Sequence, residues 1–568
     1  MSPAAKILPF LRWLPSYTKT EATNDLVAAA IVTVMLVPQS LAYAMLAGLP
    51  AQVGLYASIL PLLAYALFGT SRTLAVGPVA VVSLMTAATV SQVAAVGTPE
   101  YLSAAITLAT LSGLVLLLMS VLRLGFLANF LSHPVISSFI TASGILIAAS
   151  QLKHLLGIRA DGDTLPKILV QLAHHIGGTN LYTLALGAGA VGFLLWVRKN
   201  LKPHLIRVGL TPRAADLSAK AGPLGVIALS ILSGVWFGRQ TKGVKIVGEI
   251  PAGLPPFAWP AIDAKLWLQL LPSAILISLV GFVESLSVAQ TLAAKRRQRI
   301  SANLELFGLG AANLAAAVSG GFPVTGGFAR SVVNFNAGAE TPLASAFTAI
   351  GILAATLFLT PVFRLLPQAV LAATIIVAVL SLVDLNAMRR TYRYSKADFA
   401  AMAATFSGVL LVGVEIGIVA GVALSLILYL WRTSTPHIAI VGQVRGTEHF
   451  RNVDRHQVIT YPGLLSLRID ESLYFANARF LEDKVYEAIA TRPELKQVVL
   501  MCPAVNMIDA SALESLEAIS HRLHEAGVGF HLSEVKGPVM DALKRSEFFA
   551  HFKGQIFLTQ YEAIKSLA

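Results

Sequence analysis

Residues 266–293 form an apolar run with a single ionisable side chain, Glu284. An ionised carboxylate inside such a run costs about 2.5–3.5 kcal/mol on insertion scales. Glu284 therefore either pairs with a cation or takes up and releases a proton. The cation available in the next apolar stretch is Arg330, and a permanent Glu284 to Arg330 ion pair is the plainer alternative to proton carriage. Two tripeptides bear on where that arginine stands, Val76-Gly77-Pro78 and Gly321-Phe322-Pro323. Proline holds the residue before it extended and fits the first position of a helix. Each tripeptide predicts a short extended piece followed by a half-helix, with Gly77, Pro78, Phe322 and Pro323 at the starts. A helix N-terminus offers unpaired N–H groups and about half a positive charge. Two such ends, with Arg330 seven residues past Pro323 adding a full charge, make an anion site. The alternatives are that the prolines are ordinary kinks and that Arg330 marks the end of a short span.

The elements that would position these groups are visible as a repeat. Pro38-Gln39-Ser40-Leu41-Ala42-Tyr43-Ala44 matches Val283-Glu284-Ser285-Leu286-Ser287-Val288-Ala289 at an offset of 245 residues, and the same ungapped offset carries Pro78-Val79 onto Pro323-Val324. Gln39 is the uncharged mate of Glu284, and Gln39 and Tyr43 are either site residues or polar packing between helices. Fourteen apolar runs long enough to cross a bilayer follow one another between about residues 25 and 431. At that offset the runs fall into two halves of seven, and an odd number inverts the second half. Inverted halves with matched Gly/Pro interruptions point to a site near the midplane.

Composition agrees. Of 568 residues, 55% are hydrophobic and 13% charged, about half the charged share of a soluble domain, which excludes a soluble globular enzyme. The net charge of +13 is uneven: residues 435–568 hold 14 Lys/Arg against 16 Asp/Glu, so the apolar part is +15. Arg72, Arg123, the set Arg198, Lys199, Lys202, Arg207, Arg213 and Lys220, the set Lys295, Arg296, Arg297 and Arg299, and Arg389, Arg390 and Arg393 fall in every second loop. That is the positive-inside pattern, with both chain ends cytoplasmic in an inner or plasma membrane. Loops 153–167 and 239–265 are mixed. A nucleic-acid partner is not expected, for no basic, aromatic surface domain is present. The first 21 residues, with Lys6, Arg12 and Lys19, lack the apolar core and small-residue cleavage site of a secretory signal. His133, His174 and His175 sit near span ends and read as surface residues. Cys502 is the one cysteine, so no internal disulfide, metal cluster or cofactor is expected.

Beyond residue 434 the pattern changes. Strand-like runs at 464–469, 497–501 and 528–532 alternate with helical stretches at 478–491, 511–526 and 538–544, which predicts a small α/β domain. The organisation expected is therefore an N-terminal segment, 1–24, a membrane domain, 25–434, and an α/β domain, 435–568. The tail shows no nucleophile with a base, so an enzyme is not expected.

Pro38 to Pro50 followed by Gly54-Leu55-Tyr56 resembles the signature of the sulfate permease (SulP) family, solute carrier family 26 in animals, and the tail resembles a STAS domain. The resemblance implies seven-plus-seven inverted repeats split into core and gate domains, elevator-type movement, a homodimer, and transport of sulfate, dicarboxylates or bicarbonate. It places the substrate site at Gln39, Tyr43, Val79, Ala80, Phe328, Ala329 and Arg330, with Glu284 facing it. Prestin-like members have Phe where Val79 stands and Ser where Ala329 stands, which implies a different pocket here. Sodium-coupled bicarbonate members carry Asp and Thr four residues apart where this chain has Glu284 and Val288, which favours protons as the coupling ion. Asn506-Met507-Ile508-Asp509-Ala510-Ser511-Ala512-Leu513 resembles the STAS loop whose serine, here Ser511, is phosphorylated in anti-sigma factor antagonists. A regulatory protein bound to this domain and plain helix capping by Asp509 and Ser511 are both open, and Ala512 replaces the usual glycine. An uncoupled exchanger or channel-like anion protein is the rival reading. A nucleobase permease would show a second membrane carboxylate and no STAS tail.

Overall fold

The computed structural model describes residues 8–568 apart from 131, 161, 163, 212–214, 216–217, 220–221, 238–242, 249–252 and 381. Lys6, Arg213, Lys220 and Arg239 lie outside the described residues. The chain divides into two units, Met1–Ser425 and Leu426–Ala568.

The first unit is helical. α1 (Lys19–Leu46) opens on a capping box in which Glu21 N–H donates to Thr18 Oγ1 and Thr18 N–H to the Glu21 carboxylate, and it carries Pro38 inside. It is followed by α2 (Ala51–Tyr56), α3 (Leu60–Phe68), the two-residue β1 (Val76–Gly77), α4 (Ala80–Val90), α5 (Pro99–Val121), α6 (His133–Leu156), α7 (Leu165–His175), α8 (Leu181–Trp196) and α9 (Gly222–Phe237). Then come α10 (Ala264–Lys295), α11 (Ala302–Val318), β2 (Thr325–Gly326), α12 (Phe328–Ala337), α13 (Leu343–Phe358), α14 (Gln368–Leu380), α15 (Leu385–Tyr394), α16 (Lys396–Leu411) and α17 (Val414–Ser434). Among the described residues eight helices are long and apolar enough to cross a membrane, and three shorter ones, Ala80–Val90, Ala302–Val318 and Leu343–Phe358, are apolar. α1 and α10 begin at Lys19 and Ala264, in step with the 245-residue offset of the sequence match.

These helices pack as two bundles. In one, α11 lies on α5 and α3, α10 on α5, and α13 and α12 on α1; in the other, α14 and α16 lie on α6, α8 on α14 and α15 on α16. Small residues set the distances. A Cβ on Gly113 of α5 would come within 3.0 Å of the Gly310 carbonyl oxygen of α11, and one on Gly310 equally close to that of Gly113. That close backbone approach maximises dispersion contacts where lipid supplies no hydrophobic drive. Two carboxylates are fully buried and clamp links between helices. Asp25 accepts from Glu340 N, Thr341 N and Oγ1 and the Tyr17 hydroxyl, while Glu305 accepts from Thr70 N and Oγ1, Ser71 N and the Tyr65 hydroxyl. A third, Glu415 at the start of α17, accepts from Thr89 of α4 and Ser273 of α10.

The second unit is a six-stranded sheet in the order β4-β3-β5-β6-β7-β8, built from β3 (Ile438–Gln443), β4 (Phe450–Asn452), β5 (Leu464–Ile469), β6 (Gln497–Met501), β7 (Gly529–Ser533) and β8 (Ile556–Phe557). β5 to β8 run parallel and β3 and β4 antiparallel. The helices are α18 (Ala478–Ala490), α19 (Ala510–Glu525), α20 (Gly537–Lys544) and α21 (Gln560–Leu567), with the short Phe548–His551 between the last two. Parallel strands need crossover helices, so the apolar runs of β5 and β6 are buried nearly throughout. The expected strands and helices are found within two residues of their predicted ends, and β3, β4, β8 and α21 are additions. At the rim of this sheet burial pushes the Asp470 carboxyl up, but hydrogen bonds from Arg468 (2.6 Å) and His437 (2.7 Å) outweigh it and hold the carboxyl below its usual range. Burial, with Glu534 nearby, pushes the Cys502 thiol up to about 12.

Candidate anion-binding site

The two chain interruptions meet. β1 and β2 pair antiparallel, Val76 opposite Gly326 and Gly77 opposite Thr325, and Gly327 N–H extends the ladder to the Ala75 carbonyl at 3.0 Å. α4 starts directly after the first strand, with Val79 as its N-cap and Ala80 as its first residue; α12 starts after the second, with Gly327 as N-cap and Phe328 first. The antiparallel ladder brings the two half-helix starts together. One expectation is corrected here. The helices begin at Ala80 and Phe328, not at Pro78 and Pro323, three residues out of step with the repeat offset. Proline at the first helical position is a preference, and in the second interruption the run Thr325-Gly326-Gly327 outcompetes it, because its backbone groups pair with β1 or are taken by neighbouring side chains.

Those side chains come from α10, α11 and α12. Ser285, the residue after Glu284, accepts from Gly326 N–H at 2.8 Å and lies 2.7 Å from Thr325 Oγ1. Thr325 spends its proton on the Gly281 carbonyl (2.6 Å), so Ser285 is the donor in the hydroxyl pair. Asn313 of α11 accepts from Val324 N–H and donates to the Val324 carbonyl, at 3.0 and 2.9 Å, as a strand partner would. Ser331 accepts from Ala75 N–H (3.0 Å) and donates to the Gly327 carbonyl (2.7 Å), tying β1 to α12. Ser285 stands in the repeat match without this role, and Asn313, Thr325 and Ser331 were not legible as parts of the same network; an asparagine deep in the apolar α11, at Asn313, was the available signal.

Arg330 projects into the junction. It is 2% exposed, and neither Nη has a hydrogen-bond partner. A Cβ on Gly77 would stand 3.2 Å from its Nη1, and one on Gly327 2.8 Å from its Nε and Nη2. The guanidinium therefore occupies the space that two missing side chains leave at the two half-helix starts. Tyr43 of α1 and Glu284 of α10 are close enough to interact electrostatically with it. Glu284 is half-buried and, among the described residues, in no ion pair with Arg330 within 4.0 Å. It also lines a small apolar pocket with Ile136, Phe139 and Ile140 of α6 and Ile418 of α17, so it stands on the seam of the two bundles. Gln39 is half-buried, Val79 and Ala80 are buried, and Phe328 and Ala329 are exposed, Phe328 by 48%. Gly77 is in β1, and Phe322 and Pro323 are buried ahead of β2. Ser40, the repeat mate of Ser285, turns away and pairs with Ser58 at 2.7 Å. Adjoining helix N-termini and a buried guanidinium with no acid at bonding distance have the chemistry to accept a small oxyanion.

The family model described as the sulfate permease family matches residues 23–405 and a STAS domain model matches residues 455–563. The chain belongs to the sulfate permease family. Curated relatives include sulfate transporter 4.1, chloroplastic, of Arabidopsis thaliana, 36% identical over 95% of this chain and 79% of that protein. High affinity sulfate transporter 1 of Stylosanthes hamata is 31% identical over 98% of this chain and 85% of that protein. The fold is similar to that of SLC26A9, at a TM-score of 0.89 and 24% identity over 100% of this chain and 94% of that one. It is also similar to the transmembrane domain of the cyanobacterial bicarbonate transporter BicA, at 0.61 and 23% identity over 71% and 98%. This sulfate permease family member is thus a multi-pass membrane protein with a C-terminal STAS domain, an anion transporter and not an enzyme.

In the STAS domain, Asp509 is the N-cap of α19, accepting from Ala512 N–H at 2.9 Å and from Phe475 N–H at 2.9 Å, whereas Ser511 is exposed on its first turn. Capping falls to the aspartate. His133, His174 and His175 are exposed at helix ends.

Proposed function

We propose that this protein is a secondary active, proton-coupled sulfate transporter, with dicarboxylate and bicarbonate as the other candidate substrates. The observation that carries the reading is the Arg330 guanidinium, buried at the two half-helix starts with no partner on either Nη. The named sulfate transporters among the relatives support the choice of anion. Substrate lies between Val79-Ala80 and Phe328-Ala329-Arg330, walled by Gln39 and Tyr43. Glu284 carries the coupling proton: it stands beside the anion site on the seam of the two bundles, with no basic partner at bonding distance, so its charge state bears on both the anion and the sliding surface.

In this reading the halves are inverted seven-span repeats, supported by the matched starts of α1 and α10 and the antiparallel β1–β2 pair. The bundle of α1 to α5 and α10 to α13 moves as an elevator past a gate of α6 to α9 and α14 to α17. Functional boundaries fall at 1–24, 25–434 and 435–568. The protein works as a homodimer in the plasma or inner membrane, both termini cytoplasmic, and its STAS domain supports assembly or binds a regulator through the Ser511 face.

The test is uptake of labelled sulfate, fumarate and bicarbonate into proteoliposomes with and without an inward proton gradient. The native protein accumulates sulfate only with the gradient, Arg330→Gln takes up none, and Glu284→Gln moves sulfate without regard to the gradient. Sulfate uptake by Arg330→Gln at the native rate would remove the site; gradient-independent accumulation by the native protein would leave an exchanger or channel.

A further inference from the structure

A second cluster of cations lies away from the junction. A cavity of about 450 Å³ is lined by Arg72 from the link after α3, by Gln298, Arg299 and Ser301 ahead of α11, and by Pro9 and Trp13. Neither Arg72 nor Arg299 has an ion pair or hydrogen bond among the described residues. The acids of the neighbourhood are engaged elsewhere. Glu305 has its oxygens on Thr70, Ser71 and Tyr65. Glu21, which feels the charge of Arg72, closes the capping box on Thr18. Asp25 holds Glu340 N–H and Thr341, and the Glu340 side chain is 3.7 Å from Arg296.

The buried Glu305 fixes the 70–71 link, so Arg72 is held toward the cavity by the fold and not by a surface partner. The Ser301 hydroxyl makes no capping bond to α11 and is free to donate. Lys295, Arg296 and Arg297 continue the positive field along the same loop. Trp13 and Pro9 give the cavity an apolar wall, of the kind that sits at the level of lipid headgroups.

We propose that this cavity is a phosphoryl-binding site that takes the phosphate of an anionic phospholipid or soluble phosphate. Two guanidinium groups with a hydroxyl and an amide match the several oxygens of a phosphate monoester, and guanidinium to phosphate bonds are the strong, two-pronged kind. A zwitterionic choline headgroup finds no acid among the residues that line the cavity for its ammonium.

The test is the thermal shift of the full-length protein in uncharged detergent, titrated with dioctanoyl phosphatidic acid, with inorganic phosphate and with dioctanoyl phosphatidylcholine. The native protein and Arg330→Gln are both stabilised by phosphatidic acid and not by phosphatidylcholine; the Arg330→Gln arm keeps the transport site out of the measurement. In Arg72→Gln/Arg299→Gln the apparent affinity falls at least tenfold. Arg299→Gln alone, an exposed position that folding tolerates, weakens it severalfold. Stabilisation by inorganic phosphate that the double variant loses identifies a soluble anion as sufficient; its absence assigns the site to lipid. No stabilisation of the native protein, an equal response to phosphatidylcholine, or an unchanged affinity in Arg299→Gln would overturn the proposal.

Discussion

The two half-helix starts do the same geometric task with opposite chemistry. The first, Val76-Gly77-Pro78-Val79, is apolar and among the described residues has no side chain bonded to its own backbone; bonds of that kind nearby join Ser331 to Ala75, Ser345 to Leu74 and Asn334 to Thr73. The second, around Val324-Thr325-Gly326-Gly327, is fastened by Asn313, Ser285, Thr325 and Ser331 and carries the arginine. Polar fastening holds one position to a fraction of an ångström, because leaving a buried backbone group unpaired costs about 1–3 kcal/mol. Apolar packing tolerates small shifts. The two starts share one ladder, but the second has the denser side-chain fastening around the charge.

The sharpest way to break this comparison is Asn313→Ala, which strips both backbone partners from Val324. It should destabilise the membrane domain by about 2–4 kcal/mol, seen as loss of folded yield and thermal stability, whereas Val79→Ala should leave yield near native. If both variants behave alike, the asymmetry has no energetic content. Next come the glycines. Gly327→Ala places a methyl 2.8 Å from the guanidinium, which gives way as the end of a flexible side chain; the fold survives while sulfate uptake falls about tenfold, about 1.4 kcal/mol of lost binding. Gly77→Ala stands farther off, at 3.2 Å, but the φ of +158° at Gly77 is one that side chains rarely adopt, so this variant should lose folded yield as well as uptake, and native yield would contradict that strain.

A smaller contrast separates the repeat mates. Ser285→Ala leaves Gly326 N–H without an acceptor and should cost about 1–3 kcal/mol, while after Ser40→Ala the Ser58 hydroxyl keeps its bond to the Gly54 carbonyl (2.7 Å) and the cost should stay near 1 kcal/mol. Asp470 sets the floor. Its folded carboxyl titrates below its unfolded value, so its bonds stabilise the STAS domain above the ordinary carboxylate range and are lost as pH falls through that range toward the folded value. Asp470→Asn should lower that domain's stability by no more than about 1 kcal/mol at pH 7, with the difference closing in acid; a difference that grows in acid would contradict the sign.

The large features were legible because they are periodic. Long apolar runs, found as membrane-length helices, need no contact information. The parallel strands were readable for the same reason, as continuous apolar runs between amphipathic helices. What escaped was set by single hydrogen bonds between distant residues. Proline at 323 reads locally as a helix start, yet Asn313 and Ser285 hold the next residues extended. Glu284 drew notice as a charge in an apolar run, while Asp25 and Glu305, each fully buried, sit near run ends where a carboxylate looks solvated. Ser40 and Ser285 are identical in type but face different partners, and no spacing rule distinguishes them.

The pair of glycines around Arg330 also constrains how such a protein can diversify. In the proposed site a side chain at 77 or 327 crowds the guanidinium, so substitution there disturbs the charge that would hold the anion. Val79, Phe328 and Ala329 border the same space, and the two on α12 are exposed and free of hydrogen-bonding duties in the ladder. If the proposed site is the transport site, drift toward another anion has its wider route through those three positions and its narrower one through the glycines.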